Sequence, residues 1–287
     1  MSLSFGDLTR EKTKRNISMD YLKQFNKLLI DVDYSKSTVQ KFSDFLSLTT
    51  YSMANAFYRS DEIEEKYLNV AKNYTKAQHD KFSEMFILVI DALEDMHDFL
   101  GQVFSTNDMG SSYKGQFFTP YHVSKMMAEI SATDLEDKIR NKKVLTLSEP
   151  CSGPGGMVIA FAQTMREKGY NYQNRLFVET IDIDDMCFKM TYIQLCLLGI
   201  PARVIKGNSL SLDYQEVLYT SMFFINGWNY RLNSILSEEV NEVEDTKTLK
   251  DEDIDEEYST DALETVQAEI EPVIRIDREQ IQLNLFG

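Results

Sequence analysis

Eight residues, Glu149-Pro150-Cys151-Ser152-Gly153-Pro154-Gly155-Gly156, bring together the types that let a backbone close on a ligand. Glycines tolerate positive φ and admit a ligand where a Cβ would clash. Between a strand and a helix, such a run carries backbone N–H groups to the ligand's edge. Three glycines alone would fit an ordinary strand-to-helix turn just as well. Two acids downstream, Asp182 and Asp184, shift the balance. An acid at the end of the next strand, about 20–30 residues past the turn, is placed to accept hydrogen bonds from ribose hydroxyls. The chemistry on offer is therefore the holding of a nucleotide-like cofactor. No nucleophile stands beside a base: His79, His97 and His122 are scattered, so neither a hydrolase triad nor a metal site is assigned.

The elements that must position these residues can be read from pattern. Residues 143–148 read as a short buried strand ahead of the turn, and Met157-Val158-Ile159-Ala160-Phe161-Ala162 opens an apolar helix after it. A second strand, 176–181, ends in Asp182-Ile183-Asp184. A helix follows with Met186, Met190, Ile193 and Leu197 on one face, its methionines read as core. A third strand, 202–206, runs into Gly207-Asn208. Upstream, Phe118-Thr119-Pro120 reads as a helix start with Thr119 as N-cap and Pro120 in the first turn. Residues 17–101 read as helices. One face joins Phe82, Phe86, Val89, Leu93, Met96 and Leu100; another joins Phe42, Leu46, Thr49, Met53 and Ala56; a further helix starts at Ser60-Asp61-Glu62. These aromatic stripes are read as core. Residues 102–114 read as a polar connector without periodicity.

Four landmarks in this order, Phe118-Thr119-Pro120, the glycine turn, Asp182 and Asn208, resemble the N6-adenine DNA methyltransferases, especially the modification subunits of type I restriction systems. The resemblance covers residues 113–212. It implies a Rossmann-like α/β fold binding S-adenosylmethionine (SAM), here with a shortened sheet, an N-terminal helical region and an acidic tail. By resemblance, Phe118, Thr119, Pro120, Glu149, Cys151, Gly153, Gly155 and Asp182 surround the cofactor. The threonine region lies at the methionine carboxylate and Asn208 near the adenine.

The chain also departs from the family. The chemistry there needs Asp/Asn-Pro-Pro-Tyr/Phe at the end of a fourth strand, where an aromatic ring clamps the extruded adenine and polar acceptors draw on its N6 hydrogens. The five prolines here, Pro120, Pro150, Pro154, Pro201 and Pro272, include no Pro-Pro pair. The nearest match in position is Met222-Phe223-Phe224-Ile225-Asn226-Gly227-Trp228, read as an apolar strand ending at Asn226. On that reading Asn226 is the candidate acceptor and Trp228 or the following Tyr230 the candidate stacking ring; the alternative is that both rings pack against the open edge of a shortened sheet. Two functions therefore stay open. One is a SAM-dependent DNA adenine methyltransferase acting with a specificity or other modification-system subunit. The other is a catalytically inactive methyltransferase-fold module for DNA-linked regulation or assembly.

Charge and composition set the remaining bounds. The formal net charge is −16, but residues 237–271 hold 15 acids against Lys247 and Lys250, which leaves −3 for everything else. A near-neutral body can contact DNA locally, although no basic stripe marks it. Three cysteines without a CxxC pair, and no apolar run of transmembrane length, lead us to expect a cytoplasmic protein that does not enter a membrane. The expected divisions are a helical region over 1–112, a SAM-binding domain over 113–236, an acidic disordered linker over 237–271 and a final segment over 272–287. Within that segment, Gln282, Leu283, Leu285 and Phe286 resemble the peptide by which bacterial proteins bind the sliding clamp. A glutamine at the groove's rim with Leu, Leu and Phe in an apolar pocket suits that role. A last strand returning to the sheet is the other reading.

Overall fold

The computed structural model describes residues 20–109, 117–141 and 144–234. The connector at 110–116, the acidic run and the clamp-like peptide therefore lie outside the described residues. By chain contacts the protein divides after Met222.

The larger unit begins with a helical layer. Helix α1 covers residues 20–31. Then come α2 (Thr38–Tyr58), α3 (Asp61–Ala71), α4 (Lys76–Leu93) and α5 (Phe99–Thr106). Their ends follow local chemistry. Ser37 Oγ accepts from the Gln40 N–H to start α2, and Gln78 Oε1 accepts from the Thr75 N–H to start α4. Helix α3 starts after Ser60 with Asp61, Glu62 and Glu64 in its first turn, as its sequence predicts. Inside the layer, the Phe25 ring meets Phe42, Phe45 and Phe99 edge-on at 6.3, 5.3 and 5.8 Å. Two expectations need correction. The long face from Phe82 to Leu100 spans two helices: α4 stops at Leu93, and Asp98 starts α5 by accepting from the Gly101 N–H at 2.9 Å. Residues 102–106, read as connector, belong to α5.

Helices α6 (Tyr121–Ser131) and α7 (Leu135–Asn141) lead to the sheet. Its strands are β1 (Leu145–Glu149), β2 (Leu176–Asp182), β3 (Ala202–Asn208) and β4 (Asp213–Tyr219), in the spatial order β1-β2-β3-β4. The first three are parallel, with Leu145 opposite Leu176 and Val178 opposite Ala202. β4 runs antiparallel to β3. Helix α8 (Gly156–Glu167) and the short α9 (Tyr172–Arg175) join β1 to β2, and α10 (Asp185–Leu197) joins β2 to β3. This βαβαβ unit is the Rossmann-like α/β fold expected, and among the described residues its sheet has four strands with β1 at an edge.

Helix α10 lies between layers, packed on β2 and β3 and against α2, α4 and α5. Its residues from Cys187 to Cys196 are all buried. One hydrophobic core runs from Phe25 through α10 to Leu218 on β4, linking the helices and the sheet.

In the smaller unit, α11 (Ser221–Ile225), which straddles the division, turns at Asn226-Gly227 into a helix over 228–234. The strand expected before Asn226 is thus helical. The fourth strand lies earlier, at Asp213–Tyr219, where Asn208 turns the chain straight back along β3. The Phe224 ring stands edge-on to Phe223 at 5.4 Å. Trp228 is fully buried, with the Arg231 guanidinium 4.1 Å from its ring centroid.

Candidate cofactor site

At the carboxyl end of β1, the chain makes its glycine turn and enters α8. Gly153 (φ 53°) and Gly155 (φ 92°) occupy backbone conformations that suit glycine. A Cβ on Gly155 would also lie 3.2 Å from Thr191 Oγ1, and one on Gly153 would lie 3.3 Å from the Phe118 ring. The Phe118 ring therefore covers the turn, backed by Phe104 at 4.8 Å between centroids. That contact brings Phe118-Thr119-Pro120 beside the turn, as the sequence leads one to expect. Thr119 does not cap α6, however. Pro120 is the cap residue, its carbonyl accepting from Val123 and Ser124, and Thr119 is exposed one position earlier.

The turn's own donors are largely used internally. The N–H of Ser152 donates to Ile181 O, that of Gly155 to Ser152 O, that of Cys151 to Glu149 Oε1 at 3.3 Å, and that of Gly153 to Asp182 Oδ2 at 2.8 Å. In the first turn of α8 the N–H groups from Gly156 to Val158 have no intrahelical carbonyl to satisfy them. The expectation that the turn itself presents its N–H groups is thus met only in part, most of them being committed to carbonyls and carboxylates of the protein.

Asp182, at the end of β2, accepts from Gly153 through Oδ2 and from the Asp184 N–H through Oδ1, each at 2.8 Å. Two such bonds leave lone pairs for a further donor. Burial raises its carboxyl above the usual range. The two N–H bonds oppose that shift, and the charges of Asp184 and Glu149 add to it. Asp184 caps α10, its Oδ1 accepting from Met186 and Cys187. Three carboxylates thus gather at the ends of β1 and β2. At the end of β3, Asn208 Oδ1 accepts from Leu210 and Ser211 at 2.9 and 3.3 Å; this oxygen shapes the β3–β4 loop. Cys151 is an exposed free thiol.

Sequence reasoning missed the residues that fasten this site. Thr191 Oγ1 donates to Gly153 O at 2.8 Å. Gln194 Nε2 donates to Pro154 O at 2.7 Å and to Asp98 Oδ1 at 2.9 Å. The signal was present: Lys189, Thr191 and Gln194 interrupt α10, which is apolar on every side and hence buried all round. Each has a partner, with Lys189 Nζ bonding Ser47 Oγ at 2.9 Å and Asp185 Oδ2 at 2.5 Å. Of the catalytic candidates, Asn226 sits in the turn after α11; the Trp228 ring is buried with Arg231 over it, whereas Tyr230 is exposed. Among the described residues there is no group of acids, histidines or cysteines able to hold a metal, and no helix long and apolar enough to cross a membrane.

A glycine turn and strand-end acids at the carboxyl edge of a parallel βαβαβ unit define a Rossmann-like α/β protein, the architecture in which ligands bind outside that edge. The family model for N-6 DNA Methylase matches residues 88–260, more than half of the chain, and the chain belongs to that family. Similar solved structures include a Listeria monocytogenes protein described as a class I S-adenosylmethionine-dependent methyltransferase, at 13% identity and a TM-score of 0.38, covering 68% of this chain and 54% of that one. Another is the type I restriction-modification system methyltransferase subunit of Streptococcus thermophilus, at 15% identity and a TM-score of 0.33, covering 64% and 57%. The chain thus matches little more than half the length of either. No curated protein sequence matches it.

Proposed function

We propose that this chain binds SAM at the carboxyl edge of its sheet and takes part, with a partner subunit, in methylating the N6 position of adenine in DNA. The observation that carries the reading is the gathering of Glu149, Asp182 and Asp184 around the glycine turn. SAM is cationic at its sulfonium and amino groups, which suits those acids, and anionic at its carboxylate, which suits the first turn of α8. Asp182 would also accept from ribose hydroxyls. Phe118 would wall the site, with Thr119 and Pro120 beside it, while Cys151 and Asn208 border it. Once bound, the cofactor supplies the methyl group. This chain's part is to bind it, orient it and shield it from water. Asn226 is the candidate acceptor for the N6 hydrogens, and reading of the target sequence falls to a partner.

Titration calorimetry with SAM tests the first half. Binding that weakens at least about tenfold in Asp182→Ala is expected, one lost charge-assisted bond being worth that much. No binding at millimolar ligand would sink the reading. For the second half, tritium transfer from labelled SAM into mixed-sequence DNA is expected only when a specificity subunit is added, and it should fall in Asn226→Ala. A second reading, a module that keeps the fold without catalysis, is favoured by the buried Trp228 ring. Absence of transfer under every condition, with SAM binding intact, would establish it. We also propose that the segment at Gln282–Phe286 tethers the chain to a bacterial sliding clamp in the cytoplasm.

A further inference from the structure

We infer that Gln194 and Thr191 on α10, with Asp98 at the start of α5, are positioning residues that hold the glycine turn in its ligand-receiving form. The inference rests on the reading of the turn as a cofactor site. It concerns what keeps that turn in shape.

The peptide between Pro154 and Gly155 lies in a stretch bounded by two positive-φ glycines. Glycine accepts either sign of φ at little cost, so the local chain does little to stop this peptide from turning over. A reversal would swing the Pro154 carbonyl away from α10 and take the Gly155 N–H away from Ser152 O. Side chains from α10 oppose that change. Gln194 Nε2 holds Pro154 O at 2.7 Å, and Thr191 Oγ1 holds Gly153 O at 2.8 Å. Both carbonyls are thereby drawn toward α10.

Gln194 is itself held at both ends of its amide. Its Oε1 accepts from the Leu100 N–H at 3.0 Å and its Nε2 donates to Asp98 Oδ1 at 2.9 Å, all in buried surroundings. Asp98 in turn accepts from Gly101. A buried amide with both N–H donors and its oxygen bonded is a rigid link, because losing any partner strands a polar group away from water. The start of α5 therefore forms part of the apparatus that shapes the turn, more than 50 residues upstream of it in sequence. Nothing in the glycine motif itself reveals this dependence.

Three near-isosteric variants of the full chain test the proposal by SAM calorimetry, with circular dichroism and thermal melting as folding controls. Gln194→Met removes the donor to Pro154, and Thr191→Val removes the donor to Gly153. Both are expected to keep a folded spectrum and lose about tenfold in affinity, as one buried bond to the turn implies. Thr191→Ser keeps the hydroxyl and should recover most of the loss seen in the valine variant. A merely structural role would not produce that recovery at matched melting temperature. Should Gln194→Met fail to fold, the valine and serine pair decides alone. Wild-type affinity in Thr191→Val, while Asp182→Ala is weakened, would overturn the proposal and leave the cofactor reading standing. Failure of the wild type to bind SAM would remove both.

Discussion

The carboxylate of Asp182 faces the N–H groups of Gly153 and Asp184 while sharing its surroundings with the charges of Asp184 and Glu149. Burial outweighs the two N–H bonds, so its carboxyl stays protonated to higher pH than an ordinary aspartate. The sign follows from linkage. The folded state holds this proton more tightly than the unfolded chain does, so the group's contribution to stability falls as pH rises from the ordinary aspartate value through the raised one. A cationic ligand has the opposite preference, since it favours the ionised carboxylate. SAM affinity should therefore rise with pH across the same window, and calorimetry at a series of pH values should show Asp182→Asn with a flatter profile. A wild-type profile as flat as the variant's would contradict this assignment.

At the scale of elements, α10 governs what the turn will tolerate. Its Thr191 Oγ1 would stand 3.2 Å from a Cβ on Gly155, so a side chain there would have to push it back by a few tenths of an ångström, and the positive φ adds backbone strain. Gly155→Ala is expected to cost about 1–3 kcal/mol. At about 2–4 °C per kcal/mol for a folded body of this size, the melting temperature should fall measurably in a calorimetric scan. An unchanged melting point would mean that α10 can draw back from the turn. Strand β4 presents a different case. Asn208 folds its own amide oxygen onto Leu210 and Ser211, and Leu212 takes a left-handed φ of 56°, so the chain reverses immediately and pairs antiparallel. A residue expected beside the cofactor thereby also ends the parallel run.

For the molecule as a whole, two measurements bear on parts the sequence left in question. Trp228 is the chain's one tryptophan, and it is buried. Its fluorescence should therefore be blue-shifted relative to the free amino acid and move red on denaturation. Trp228→Ala should cost about 3–5 kcal/mol, as a lost buried aromatic does. An emission maximum at the position of exposed indole would restore the ring as a candidate for stacking on a base. The clamp proposal is tested by a labelled peptide of residues 277–287. It should bind a bacterial clamp with micromolar affinity and lose binding in Phe286→Ala, because the terminal ring is the apolar anchor. No detectable binding would return that segment to the strand alternative.

The sequence by itself determined the order of elements from β1 to β3, the glycine turn and the acid that follows it. Each depends on interactions between near neighbours: apolar runs of strand and helix period, glycines where φ is positive, and caps such as Asp184 one residue before its helix. The same locality explains why the start of α3 was readable from Ser60-Asp61-Glu62. Tertiary structure decided the rest. An unbroken apolar face from Phe82 to Leu100 does not reveal that α4 stops at Leu93 or that a buried Asp98 starts a second helix. An apolar run from Met222 to Ile225 reads as a strand until β4 has already taken the edge of β3. Whether the turn's N–H groups face a ligand or face Asp182 and Ile181 depends on how β1 lies beside β2. Above all, Thr191 and Gln194 look like ordinary polar residues in a helix. They became part of the site because α10 is enclosed on every side, and a buried polar group must find its partner in whatever packs against it.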